Sequence, residues 1–153
     1  MENIIKEAIN TAIEEAKFNI NSEEGGPFGA CIVKNNKIIA KAHNTVLKDK
    51  DCTCHGEINA IKKACKVLDT YDLIDCTLVT TSEPCPMCKG AIMWSRIKNV
   101  IVCGRKTIAH KFGFDDVNFE NPNNINITFC DENIEKKIIF MFEDWQRNNG
   151  VIY

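Results

Sequence analysis

Two short segments carry the residue types that do chemistry. His55-Gly56-Glu57 and Pro84-Cys85-Pro86-Met87-Cys88 each stand where a helix is expected to begin. A Cys-x-x-Cys pair at a helix start puts two thiols one turn apart, near the positive end of the helix dipole, where thiolates are favoured. Thiolate and neutral imidazole are ligands that zinc takes readily. His55, Cys85 and Cys88 make three protein ligands, and three leave a fourth position open, as catalytic rather than structural zinc sites do. Zinc brings the pKa of water at such a position down to about 7. Glu57, two residues from the histidine, is then the acid available to move protons. The expected cofactor is Zn2+, one per chain.

Other readings of these residues stay open. A Cys-Pro-x-Cys between a strand and a helix also fits a thioredoxin-like redox site, although that leaves His55 and Glu57 without a purpose. A structural zinc site needs a fourth ligand, and Cys52 and Cys54 lie near enough in sequence to be considered. A zinc-binding module without catalysis needs no proton shuttle at position 57. Cys31, Cys65, Cys76, Cys103 and Cys130 read as core cysteines. His43 and His110 read as hydrogen-bonded structural or surface residues.

The elements that must position these groups follow from periodicity. Glu2 to about Lys17 is an amphipathic helix, with Ile4, Ile5, Ala8, Ile9, Ala12, Ile13 and Ala16 at helical spacing. Gly25-Gly26-Pro27 ends that region. Phe28 to Lys34 and Lys37 to His43 are strands joined through Asn35-Asn36, two residues that tolerate positive φ, so a tight antiparallel hairpin is predicted. After a polar loop, His55 to Leu68 is a helix, Cys76 to Thr81 a strand and Cys85 to Ser95 a helix with Pro86 in its first turn. Val100 to Cys103 is a strand, followed by a long loop through Phe112-Gly113-Phe114-Asp115-Asp116. Ile125 to Phe129 is expected as a fifth strand. Glu132 to about Arg147 is a last helix, carrying Ile134, Ile138, Met141, Phe142 and Trp145. Helices alternating with strands imply a three-layer α/β/α domain around a five-stranded mixed sheet, spanning residues 1–153 as one unit.

Composition bounds the partners. The chain has 153 residues, 44% hydrophobic and 26% charged, enough for a core without disulfides. No apolar run approaches the ~20 residues of a membrane span. Met1-Glu2-Asn3 opens without the basic and apolar regions of a signal peptide, and nine cysteines then read as reduced thiols or metal ligands, so a cytoplasmic protein is expected. Nineteen Lys and Arg against 21 Asp and Glu give a net charge of −2, with arginine only at positions 96, 105 and 147. A nucleic-acid partner is not expected from that balance.

His-x-Glu followed by Pro-Cys-x-x-Cys is the pattern of the zinc deaminases. Beyond it stand Gly25-Gly26-Pro27-Phe28-Gly29-Ala30, Asn44, Ser82-Glu83-Pro84-Cys85-Pro86-Met87-Cys88, Gly113-Phe114-Asp115-Asp116 and the terminal Tyr153. With these, the chain from Gly25 to Tyr153 resembles the bacterial guanine deaminases, small members of the zinc-dependent cytidine/deoxycytidylate deaminase superfamily. The resemblance implies a cytidine-deaminase-like fold and hydrolysis of guanine to xanthine and ammonia. It gives His55, Cys85 and Cys88 the zinc, and Glu57 the proton shuttle. Asn44 then bonds the purine, Phe28 and Trp94 wall the pocket, and Asp116 meets the far side of the base and takes part in proton transfer. Tyr153 closes the pocket from the partner subunit of a homodimer that exchanges its C-terminal segment, about 131–153. Gly56 stands where that family's pattern has alanine, and the Lys48 to Cys54 loop is rich in cysteine. A cytosine deaminase, or another nucleobase or nucleoside deaminase on the same zinc site, is the alternative.

Overall fold

The computed structural model describes residues 2–116, 128–129 and 131–150. Helix α1 spans Glu2–Asn21, strands β1 and β2 span Gly29–Lys34 and Lys37–His43, and a short helix α2 spans Val46–Asp49. Then come α3 (Gly56–Leu68), β3 (Thr77–Ser82), α4 (Pro86–Trp94), β4 (Asn99–Gly104), α5 (Lys106–Lys111) and α6 (Glu132–Arg147). Residues 1–120 form one compact unit; α6 belongs to a second, residues 121–153.

The sheet runs β2-β1-β3-β4. β1 pairs antiparallel with both β2 and β3, and β3 pairs parallel with β4, so the sheet is mixed as expected. The β1–β2 turn uses Asn35 and Asn36 with φ of 48° and 61°. Two left-handed residues in succession match the twist of a hairpin, and asparagine adopts them cheaply.

Alternation along the strands builds two core layers. Cys31, Val33 and Val79 meet Ala8 and Ala12 of α1. Ala30, Ile32 and Leu78 point the other way, to Ala60, Ile61 and Ala64 of α3 and Ile92 of α4. Small residues on α1 and α3 let both helices lie close to the strands. Thr80 shares the parity of Leu78, and both are fully buried. That placement matters for the site.

The structure departs from expectation in four places. Four strands stand among the described residues rather than five: 125–127 lie outside them, and Thr128 and Phe129 are not in a strand. α2 and α5 occupy stretches expected as loop; at four and six residues they are too short to show a period. α1 runs on to Asn21, past its last apolar repeat, because Asn19 is buried through hydrogen bonds to Gly26 O and Asn44 O at 2.7 and 2.8 Å. Cys103, expected in the core, is exposed, since β4 stands at the end of the described sheet; Cys31 and Cys76 are buried, Cys65 partly so, and Cys130 lies outside the described residues.

Candidate metal centre and active site

The first residue of each ligand set is a helix cap. His55 precedes α3 with φ −68° and ψ 158°, and Cys85 precedes α4 with φ −68° and ψ 170°. In both, the carbonyl already accepts the first helical bond, from Asn59 N and Lys89 N at 2.9 Å. Neither side chain caps its own helix. Instead both turn toward one point. His55 Nδ1 lies 3.6 Å from Cys85 Sγ and 3.5 Å from Cys88 Sγ, and the three ligand atoms fall within 4.8 Å of one another.

Those spacings can be tested against zinc. Bonds of about 2.0–2.1 Å to nitrogen and 2.3 Å to sulfur at a tetrahedral angle separate the two atoms by about 3.6 Å. Both nitrogen–sulfur spacings therefore match those the ion would set. Among the described residues no fourth histidine, cysteine or carboxylate joins the group. Cys52 is exposed and Cys54 is buried elsewhere in its loop, so the four-ligand structural reading finds no support. The thioredoxin-like reading leaves out His55, which sits against both sulfurs.

Electrostatics divide the three ligands in the metal-free cluster. A hydrogen bond from Cys88, then the neighbouring His55, hold the Cys85 thiol down to about 4. The same Cys85–Cys88 bond, with burial and Glu57, pushes Cys88 well up. His55 is raised above its usual value, first by the bond to Cys85. By contrast, burial pushes Cys31 up to about 12, leaving it an inert core thiol.

Glu57 lies one helical step into α3 and is 5% exposed. Its Oε1 accepts 2.6 Å from Thr80 Oγ1, and its Oε2 accepts 3.2 Å from Cys88 Sγ.

A cavity of about 540 Å³ opens onto this cluster, with His55, Glu57 and Cys85 in its wall. Phe28, Asn44, Cys52, Phe114, Asp115 and Asp116 also line it. Phe28 and Phe114 meet edge to face, with centroids 4.8 Å apart and planes at 81°. Asn44 Oδ1 accepts from Val46 N at 3.0 Å, so the amide has its NH2 left for a ligand. Asn44 is held in turn by its own N–H to Phe28 O at 3.0 Å. Gly25 has to be glycine here, because a Cβ would sit 2.2 Å from Asn44 Oδ1. A Cβ on Gly56 would come within 3.2 Å of Phe28 O, so the missing methyl lets α3 start close against the Phe28 wall.

The structure thus gathers His55, Cys85, Glu57, Phe28, Asn44 and Asp116 around one cavity, with Cys88 joining His55 and Cys85 in the ligand cluster. Trp94 is not in its lining and is 63% exposed at the end of α4. Tyr153 lies outside the described residues. His43 is structural, as expected, bridging Glu15 and Glu24 at 2.8 and 2.9 Å. Three contributors escaped the sequence reading: Phe114 in the wall, Asn19 behind Asn44, and Thr80 behind Glu57. Only Phe114 carried a signal, as an aromatic beside the Asp115-Asp116 pair.

Residues 2–104 match the family model of the cytidine and deoxycytidylate deaminase zinc-binding region. The chain belongs to this family. Within the cytidine and deoxycytidylate deaminase family, it is 50% identical over 115 residues to a guanine deaminase of Bacillus subtilis, covering 75% of this chain and 71% of that one. A crystal structure of guanine deaminase from Bacillus subtilis superposes with a TM-score of 0.85, at 38% identity over 93% of both chains. A tRNA-specific adenosine deaminase of Aquifex aeolicus is 48% identical over 93 residues, 61% of each chain. Zinc is the cofactor of this family, and the His55–Cys85–Cys88 cluster is the candidate site.

Proposed function

We propose that the protein hydrolyses guanine to xanthine and ammonia. The observation that carries this reading is one cavity holding Asn44 and Asp116 together with Glu57 and the metal cluster. A guanine ring offers both acceptors and N–H donors along its edges. The Asn44 NH2 suits an acceptor, and the Asp116 carboxylate suits donors. Phe28 supplies a flat apolar wall, and Phe114 braces it. Zinc, when bound, supplies the Lewis acidity that makes water nucleophilic near neutral pH. Glu57 is placed to accept a proton from the attacking water and to deliver protons to the ring nitrogen and the leaving amine at C2. Asp116, on the base, assists the transfer.

The chain is proposed to act as one domain in a homodimer that exchanges the segment from about 131 to 153, with Tyr153 of the partner subunit closing each pocket. Exchange of an identical element is a low-cost route to a dimer. The apolar ending Val151-Ile152-Tyr153 after Asn148-Asn149-Gly150 supports a tail that docks. Trp94, exposed at the end of α4, is proposed as a further substrate contact. The described cysteines are all free thiols, which supports a reducing, cytoplasmic setting, and no described helix is long and apolar enough to cross a membrane.

The second reading, a different base on the same centre, draws on the similarity to the tRNA-specific adenosine deaminase. Ammonia release from guanine, cytosine, adenine, guanosine, cytidine and ammeline separates the two. Guanine is expected to be turned over fastest. Turnover of cytosine or adenine with guanine untouched would overturn the proposal.

A further inference from the structure

Glu57 has two hydrogen-bond partners, and metal binding treats them differently. Cys88 Sγ lies 3.2 Å from Oε2, and Thr80 Oγ1 lies 2.6 Å from Oε1. A cysteine that ligates zinc is a thiolate, which accepts hydrogen bonds and donates none. Once metal is held, Thr80 is the partner that still donates to Glu57.

Thr80 is built for that purpose. It sits on β3 with no exposed surface, and it does not line the cavity, so it meets no substrate. A valine would fill the same space in a strand equally well. A buried hydroxyl is unfavourable unless bonded, so its presence in an otherwise apolar layer calls for a partner. Its β-branched side chain has few rotamers, and the strand therefore fixes where the oxygen points. The hydroxyl has one proton and two acceptors in reach, Glu57 Oε1 at 2.6 Å and Ser82 O at 3.0 Å. The shorter contact has the length of a bond to a charged acceptor.

We propose that Thr80 is a positioning residue for the deamination. It pins Glu57 Oε1 toward the sheet, leaving Oε2, the oxygen beside Cys88, as the one that meets protons in the cavity. The inference rests on Glu57 being the proton-moving group and not on guanine being the base.

The test compares Thr80→Val, Thr80→Ser, Glu57→Gln and the double variant Thr80→Val/Glu57→Gln, each with zinc content and thermal midpoint measured. Thr80→Val is expected to keep about one zinc per chain and to lower kcat about 10–10²-fold, the worth of one hydrogen bond to a charged group. KM stays within about two-fold, and Thr80→Ser recovers most of kcat. In the Glu57→Gln background the same valine makes no further difference. An infrared difference spectrum of wild type against Thr80→Val shows one shifted carboxylate band, absent from the same difference in the Glu57→Gln background; this readout needs no turnover. Should the valine variant fold poorly, Thr80→Cys, a weak donor, is expected to be slower than Thr80→Ser. Wild-type kcat in Thr80→Val, equal losses in both backgrounds, a serine variant as slow as the valine or cysteine one, or no band shift each overturn the proposal. A slow Glu57→Gln beside a fast Thr80→Val sinks this inference alone. A Glu57→Gln variant at the wild-type rate sinks the role of Glu57 and this inference together.

Discussion

Helices α3, α4 and α6 begin with the same backbone and opposite side-chain behaviour. His55, Cys85 and Asp131 all hold the extended cap conformation, with φ between −68° and −75° and ψ from 158° to 170°. Asp131 uses its side chain as a cap should, accepting from Asn133 N at 2.9 Å and Ile134 N at 3.1 Å. His55 and Cys85 do not cap, and their ligand atoms face each other instead. A good cap contributes about 1 kcal/mol. The starts of α3 and α4 forgo that stabilisation, and what they gain is three ligand atoms at zinc spacing. An uncapped start is not by itself a mark of function, since Arg105 precedes α5 in the same extended conformation without capping it. What sets α3 and α4 apart is that their cap residues converge on one point, whereas α6 uses the same backbone to cap itself.

Replacing a ligand breaks the comparison most severely. Cys85→Ser or Cys88→Ser is expected to lose bound zinc and deamination together, read by metal analysis and ammonia release. Either variant at full zinc occupancy and rate would show that these caps are not ligands. The tail comes next. If α6 serves to deliver the chain end to a partner, deleting Val151 to Tyr153 keeps the zinc but lowers kcat/KM for guanine about 10–10²-fold, the cost of leaving a buried polar edge unpaired. Wild-type kinetics after the deletion would remove the lid.

Metal loading also has a pH signature. In the metal-free protein Cys85 is held low and is already a thiolate at pH 7, while Cys88 and His55 are both raised. Ligation requires all three deprotonated, so zinc uptake at pH 7 is expected to release about one to two protons per ion. Affinity therefore falls as pH drops. Calorimetry in buffers of different ionisation enthalpy counts the protons, and uptake without proton release would contradict the assignment.

The smallest effects sharpen the comparison directly. Asp131→Ala is expected to cost about 1 kcal/mol in urea unfolding and to loosen amide exchange at the start of α6. In the zinc-free protein, Cys85→Ser is expected to cost nothing or to stabilise slightly, since serine is a preferred cap. Equal losses from the two substitutions would mean that Cys85 serves its helix as Asp131 does.

The readable and unreadable parts of the site divide along the same line. Ligand residues declare themselves because each set is contiguous in sequence and sits at a predicted helix start. The hairpin was equally plain in Asn35-Asn36. Thr80 and Asn19 were silent, because their bonds reach Glu57 and Asn44 across 23 and 25 residues, and no local spacing records a contact of that kind. Trp94 shows the converse: the family resemblance makes it a pocket wall, yet its position along α4 leaves it outside the cavity lining. Short helices such as α2 and α5 give no period to detect. Cys103 reads as a core cysteine from its apolar run, and its exposure on β4 reflects sheet order, which local sequence does not encode.

The central claim is that holding the metal and moving protons fall to different residues, with Glu57 only two positions from the ligand His55. Glu57→Gln tests it most directly, since the substitution keeps size and shape while removing the acid. The account predicts about one zinc per chain, as in wild type, with ammonia release from guanine lowered at least ~10²-fold. Loss of the zinc, or a rate within a few-fold of wild type, would contradict it.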